Sequence, residues 1–245
     1  MKHLSILPYG DQAVLINFEQ KIDPEINGQV LRLKEQIEKC GIQGITFSIP
    51  AYCSLTIGYD PTLLEYQVLE KIVRQLVRQT LVSDPMLSEN TDRTLKIPVC
   101  YEAPFALDIE ELSKQKDMTP QQIINYHTGV SYRVYMLGFL PGFVFMGKLP
   151  EQLKCRRRNT PRLRVPKGSV GMAGFQTGIY PSVSPGGWQI IGRTPVDIFD
   201  PKASDPFVFS PGDTVVFHSV SKSEFSSVRS EVETGTFNVQ SLIQQ

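Results

Sequence analysis

The sequence predicts an α+β protein in two parts, a small N-terminal α+β sandwich followed by a β-rich domain of barrel or sandwich type. Three observations point there. Two Asp-Pro pairs, Asp23-Pro24 and Asp60-Pro61, open apolar-periodic stretches that alternate with β-rich runs, and helices alternating with strands fit a sheet that carries its helices on one face. Residues 83–93, SDPMLSENTDR, hold Pro, Asn, Asp and Ser with only two apolar side chains, so they read as a linker. Beyond Tyr132 the chain becomes short apolar runs cut by Gly and Pro, as short strands joined by tight turns require. The expected boundaries are 1–82 for the first domain, 83–93 for the linker, 94–230 for the second domain and 231–245 for a flexible polar tail.

Each element has its own signal. AVLINF at 13–18 predicts a strand. Asp23 then caps a helix with Pro24 in its first turn, Ile26, Val30, Leu33 and Ile37 on its apolar stripe, and Gly41 at its end. ITFSI at 45–49 and SLTIGY at 54–59, parted at Pro50 and Ala51, predict a hairpin or adjacent antiparallel strands. Asp60-Pro61 predicts a second helix start, with Leu64, Val68, Leu69, Ile72, Val73 and Leu76 facing a core and Lys71, Arg74 and Arg78 facing water. TLKIPVCY at 94–101 opens the second domain with a strand; Asp108 begins a short helix, and Thr119-Pro120 begins another that Gly129 ends. YRVYMLGF, FVFM, SVGMAG, WQIIG and TVVFH supply strands, and Ser221 with Glu224 forms a capping box for a last helix.

Composition excludes several classes. Of 245 residues, 41% are hydrophobic and 20% charged, enough core for one large domain or two modest ones. Twenty-five basic residues balance twenty-five acidic ones, so no long-range field draws a polyanion and nucleic-acid binding is not expected. No apolar run approaches the roughly 20 residues of a membrane-spanning helix. Pro8 and Gly10 stand where a signal peptide's apolar core would continue, so a cytoplasmic protein is expected. Cys40, Cys53, Cys100 and Cys155 are widely spaced, without a CxxC pair or a histidine at metal-ligand spacing. They read as reduced thiols, and no metal or prosthetic group is expected.

The chemistry concentrates between 138 and 187. That stretch holds nine glycines and six prolines of the chain's 36, where an even spread gives about seven. Such residues let backbone approach a ligand closely, or simply serve a domain with many turns. From Glu151 to Gly168 there are seven basic residues and one acidic, in a chain otherwise neutral. A solvated face interleaves both signs, so Arg156, Arg157, Arg158, Arg162 and Arg164 point to an anionic ligand or an acidic partner surface. Lys167, Gln176, Tyr180, Trp188 and Arg193 complete the polar set. His127, at a helix end before the run GFLPGF, is either a proton-transfer group or a cation placed on the helix C-terminus. GxxxxGK[ST], GxGxxG and GxSxG do not occur.

The strings GFLPGFVFMGKLP and RRRNTPRLRVPKGSVGMAGFQTGIYPSVSPGGWQIIGRTP closely resemble the family of 5-oxoprolinase B subunits (PxpB), the sporulation-kinase inhibitor KipI and the subunit-1 domains linked to allophanate hydrolase and urea carboxylase. The likeness runs from PYGDQAVLINF to FSPGDTVVF. It implies an N-terminal α+β domain followed by a cyclophilin-like β-barrel. It further implies a chain that works with a KipA-like C subunit and a separate A subunit, cleaving 5-oxoproline to L-glutamate with ATP as co-substrate; kinase inhibition and urea degradation are the alternatives. On the family's motif positions around a cleft fall His127 as the catalytic candidate, with Arg162, Gln176, Thr177 and Arg193, and Arg158 joins the expected anion-binding set from the basic run. Lys167 departs from the pattern, standing where a small residue is expected.

Overall fold

The carboxylate of Asp23 accepts the backbone N–H groups of Glu25 and Ile26, and Pro24 takes the first turn, so α1 (Pro24–Lys39) starts where its signal places it. In the computed structural model, which describes residues 4–82 and 93–244, the chain divides near residue 90 into two compact units. The first is built on β1 (Ser5–Pro8), β2 (Ala13–Asn17), β3 (Ile45–Pro50) and β4 (Ser54–Tyr59), an antiparallel sheet in the order β1-β2-β4-β3. Alternate residues Ile6, Val14, Ile16, Leu55 and Ile57 are buried against Val30, Leu33 and Ile37 of α1 and Leu69 and Val73 of α2 (Tyr66–Val82). Both helices therefore cover one face of the sheet.

The second helix begins later than Asp60-Pro61 suggests. The Asp60 carboxylate accepts the Thr62 backbone N–H at 2.8 Å and the Thr62 hydroxyl at 2.7 Å, which spends the cap on a local turn, and α2 starts at Tyr66. Val68 is exposed, off the buried stripe, while Leu64, Leu69, Val73 and Leu76 are buried as expected.

The second unit opens with β5 (Thr94–Val99), α3 (Ile109–Lys116), α4 (Pro120–Thr128), β6 (Ser131–Leu137) and β7 (Val144–Gly147). It continues through β8 (Arg162–Val165), β9 (Ser169–Ala173), β10 (Gln176–Ile179), β11 (Ser184–Gly186) and β12 (Gln189–Arg193), then β13 (Thr214–Ser219), α5 (Lys222–Thr234) and β14 (Ile243–Gln244). Eight strands form one sheet in the order β12-β9-β10-β7-β6-β13-β5-β14, and β8 and β11 form a separate ribbon. The β5–β13 pair is parallel, and the other neighbours are antiparallel. The sheet curls far enough that Cys100, just past β5, exchanges backbone hydrogen bonds of 2.8 and 2.9 Å with Arg193 at the end of β12. Ile97, Val134, Met146, Val170, Ile191 and Phe217 fill its core, with Leu112 of α3 and Ile123 of α4 packed on them. The capping boxes Thr119/Gln122 and Ser221/Glu224 both form.

The expected linker, 83–93, lies outside the described residues apart from Arg93, whose guanidinium is paired with Asp213 of the second unit through contacts of 3.0 and 2.7 Å. The expected flexible tail is in fact folded from 231 to 244. α5 ends on Gly235 in the left-handed conformation, Leu242 is buried, and β14 pairs with β5 through Ile243↔Leu95 and Gln244↔Thr94. A polar composition concealed one buried leucine and the need of the β5 edge for a partner. Among the described residues no helix is long and apolar enough to cross a membrane.

Candidate functional site

The basic run is organised by a residue that sequence reasoning used only as a helix start. Asp108 sits at the N-cap position of α3, but its side chain makes no cap bond and turns inward, leaving it 2% exposed. Arg162 donates from Nη1 to Oδ2 at 2.8 Å and from Nη2 to Oδ1 at 2.7 Å, a bidentate fork. Arg158 adds Nη1 to Oδ1 at 2.5 Å, and the Ile190 backbone N–H donates to Oδ2 at 2.6 Å. One carboxylate thus holds two guanidinium groups, and the assembly keeps a net positive charge.

The loop bearing the other arginines is pinned at three points. Cys155 exchanges backbone hydrogen bonds with Gly174, the Arg158 N–H donates to the Gly187 carbonyl at 2.7 Å, and Gln189 Nε2 donates to the Arg156 carbonyl at 3.1 Å. Between this loop and α3 lies a cavity of about 380 Å³, lined by Arg156, Arg157, Arg158, Asn159, Thr160 and Gln189 and edged by Glu111. Fixed donors around a polar cavity can hold an anion without reorganising.

His127 and Thr177 meet elsewhere, inside the core. His127 is fully buried on α4, stacked on Phe217 with ring centroids 4.6 Å apart. Its Nδ1 lies 2.8 Å from the Tyr101 hydroxyl and its Nε2 lies 3.0 Å from Thr177 Oγ1. The Thr177 hydroxyl donates to the Gly171 carbonyl at 3.1 Å, so it accepts from His127, and the assignment that satisfies every partner puts the proton on Nε2 and makes Tyr101 the donor to Nδ1. Burial lowers the imidazole from 6.5 to about 3. Neutral at physiological pH, this ring supplies neither a cation for the helix terminus nor a group that titrates near pH 7. Gln176, half-buried at the start of β10, is adjacent to Thr177 in the chain.

Arg193 belongs to a second basic cluster. Its Nε donates to the Lys167 carbonyl at 2.6 Å, while Lys167 Nζ and Arg229 Nη1 reach Asp197 at 2.8 and 2.6 Å. Desolvation first, then Arg229, lowers the Arg193 guanidinium below its ordinary value, with Asp197 opposing. The structure thus brings Arg158 and Arg162 together, pairs His127 with Thr177, and places Arg193 with Lys167. Burial raises the Cys155 thiol to about 11 and also raises Cys100, so neither is an activated nucleophile. Among the described residues no three His, Cys, Asp or Glu side chains converge as metal ligands.

Fold and cluster together define a two-unit α+β protein whose β-rich unit carries a carboxylate-braced arginine site. The profile of the carboxyltransferase domain, subdomain C and D, matches residues 4–209, and the chain belongs to that family. The 5-oxoprolinase B subunit of Bacillus subtilis is 37% identical over 232 residues, covering 91% of this chain and 95% of its own length. The urea amidolyase of Saccharomyces cerevisiae is 31% identical over 264 residues, covering 94% of this chain but 14% of its own length. The crystal structure of TTHA0988 matches with a TM-score of 0.74 and 32% identity over 86% of this chain, which spans 40% of that longer chain.

Proposed function

We propose that this chain is the B subunit of a cytoplasmic 5-oxoprolinase complex that opens the lactam of 5-oxoproline to L-glutamate at the expense of ATP, and that it acts with an A subunit and a KipA-like C subunit. The end-to-end match to the Bacillus subtilis B subunit carries this reading, since the urea amidolyase match is confined to a small part of a much larger chain. The curl that brings Cys100 to Arg193 supports reading the second unit as a cyclophilin-like barrel.

Opening a lactam with ATP passes through anionic species, either the substrate carboxylate or a phosphorylated intermediate. The Arg156–Arg158 loop contributes charge-assisted donors for them, and Asp108 holds Arg158 and Arg162 in place while the charge develops. His127, Thr177 and Gln176 act differently. The neutral imidazole positions Thr177 and thereby the start of β10. Co-expression of the three subunits with each omitted in turn, scored by 5-oxoproline-dependent ADP release, tests the assignment. Full turnover without this chain, or turnover by this chain alone, would overturn it.

A further inference from the structure

The second unit holds another cavity, of about 290 Å³, and none of its lining residues belongs to the arginine cavity. Its floor is buried and apolar, formed by Leu95 of β5 and by Val196, while Val232 of α5 with Phe237 and Ile243 beyond it form a wall. Phe207 and Val239, each 40% exposed, stand at the mouth. A mostly apolar hollow with a few charged groups at its edge is the make-up of a small-molecule site. Apolar cavities of about 150 Å³ take up benzene, so this one accommodates a ring with a short arm.

The charged groups that line it are Arg93, Asp197, Asp200 and Asp205. Two of them are already matched. Arg93 places Nε and Nη2 on the Asp213 carboxylate at 3.0 and 2.7 Å, and Asp197 holds Lys167 and Arg229 at 2.8 and 2.6 Å. Asp200 and Asp205 form no ion pair among the described residues, and the Asp200 side chain accepts only the Lys202 backbone N–H, at 2.9 Å. Lys202 itself does not line the cavity. The loop that carries both aspartates is closed as a hairpin end: Asp200 N–H donates to the Pro206 carbonyl at 3.0 Å, and Val208 N–H to the Ile198 carbonyl at 3.2 Å. Two unmatched carboxylates are therefore fixed beside an apolar hollow.

We infer that this cavity binds a small organic cation, a primary ammonium group carried on an apolar body. The body leaves water to lie against Leu95, Val196 and Phe237, and the ammonium stays at the edge with Asp200 and Asp205. At the exposed edge the cation keeps part of its hydration, so its burial costs little. An anion of the same shape would meet the two aspartates, while the arginine that could hold it is occupied by Asp213. The site stands apart from the arginine cavity and does not depend on the lactam-opening reading.

The test titrates the full chain with 2-phenylethylammonium, 2-phenylethanol and phenylacetate, one ring with three head groups, followed by calorimetry and amide NMR. The ammonium should give saturable shifts at Val232, Phe237, Val239 and Ile243 and bind at least about fivefold more tightly than the alcohol, with phenylacetate weakest. Added salt should shrink that preference. In the double variant Asp200→Asn/Asp205→Asn the ammonium should bind no better than the alcohol, whose own affinity should not change. The melting temperature should hold, because both side chains are exposed and asparagine can still accept the Lys202 N–H. Lack of saturation by the ammonium, equal binding of the three head groups, or an ammonium preference that survives in the double variant would each overturn the inference.

Discussion

Arg162 lays both terminal nitrogens on the two carboxylate oxygens of Asp108, at 2.8 and 2.7 Å, across 54 positions of sequence. The contact ties the start of α3 to β8, and Arg158 draws the intervening loop onto the same anion. Removing the anion leaves two cations facing each other with less than a third of either side chain in water.

Asp108→Asn should therefore destabilise the second unit by about 3 kcal/mol, as expected when one member of a buried ion pair is removed. Arg162→Lys keeps the charge but loses the fork, and should cost less. Urea denaturation of both variants should give that order, and the reverse order would show that geometry rather than charge holds the loop.

His127 gives the fold a pH dependence of known sign. Below pH 6.5 the unfolded chain takes up a proton that the folded chain refuses until about pH 3. Its contribution is complete above 6.5 and is lost as pH falls towards 3, on the order of 4 to 5 kcal/mol across the window. Denaturation midpoints between pH 7 and 4 should fall more steeply for wild type than for His127→Gln. In the reconstituted complex the same substitution should remove no limb from the rate profile between pH 6 and 8.

The tautomer of His127 can be read directly. Nitrogen-15 spectra at pH 7 should show Nε2 protonated and Nδ1 bare. Thr177→Val strands that N–H in the core and should cost about 1–3 kcal/mol by thermal or urea unfolding. A variant as stable as wild type would mean the hydroxyl is not the acceptor.

Truncation after Gly235 should destabilise the second unit. Leu242 leaves its buried site and β5 loses β14, and burial of one leucine alone is worth about 1.5–3 kcal/mol. In the intact chain, residues 236–244 should resist proteases about as long as α5 does.

Much of this architecture is legible in the sequence because local chemistry states it. Asp23 with Pro24 and Ser221 with Glu224 each close the cap their spacing announces, and α4 starts at Thr119-Pro120 as expected. β8 is not legible, since RLRV alternates arginines with apolar residues in a way that reads as charge before strand. The arginine run is plain in the chain; its counter-ion is not, because Asp108 looks like any helix start and its partners are some fifty residues away. The GFLPGF loop hides a similar division. Phe143 and Phe139 look equivalent in sequence, yet the first is core and the second is surface, and the difference is set by strands that pair elsewhere.

The pairing of β5 with β13 and β14 has a consequence for synthesis. The first unit has all of its strands by Tyr59 and both helices by Val82, so it can fold while the rest is being made. β5 leaves the ribosome next, but its lateral partners are 120 and 149 positions downstream, counting from Thr94 to Thr214 and to Ile243. At translation rates of about 5 to 20 residues per second, that strand waits roughly 6 to 30 seconds with its hydrogen-bonding edges unfilled. During that interval the apolar run IPVC carries strand edges that lack their native partners, and the sheet of the second unit closes only once β14 has emerged.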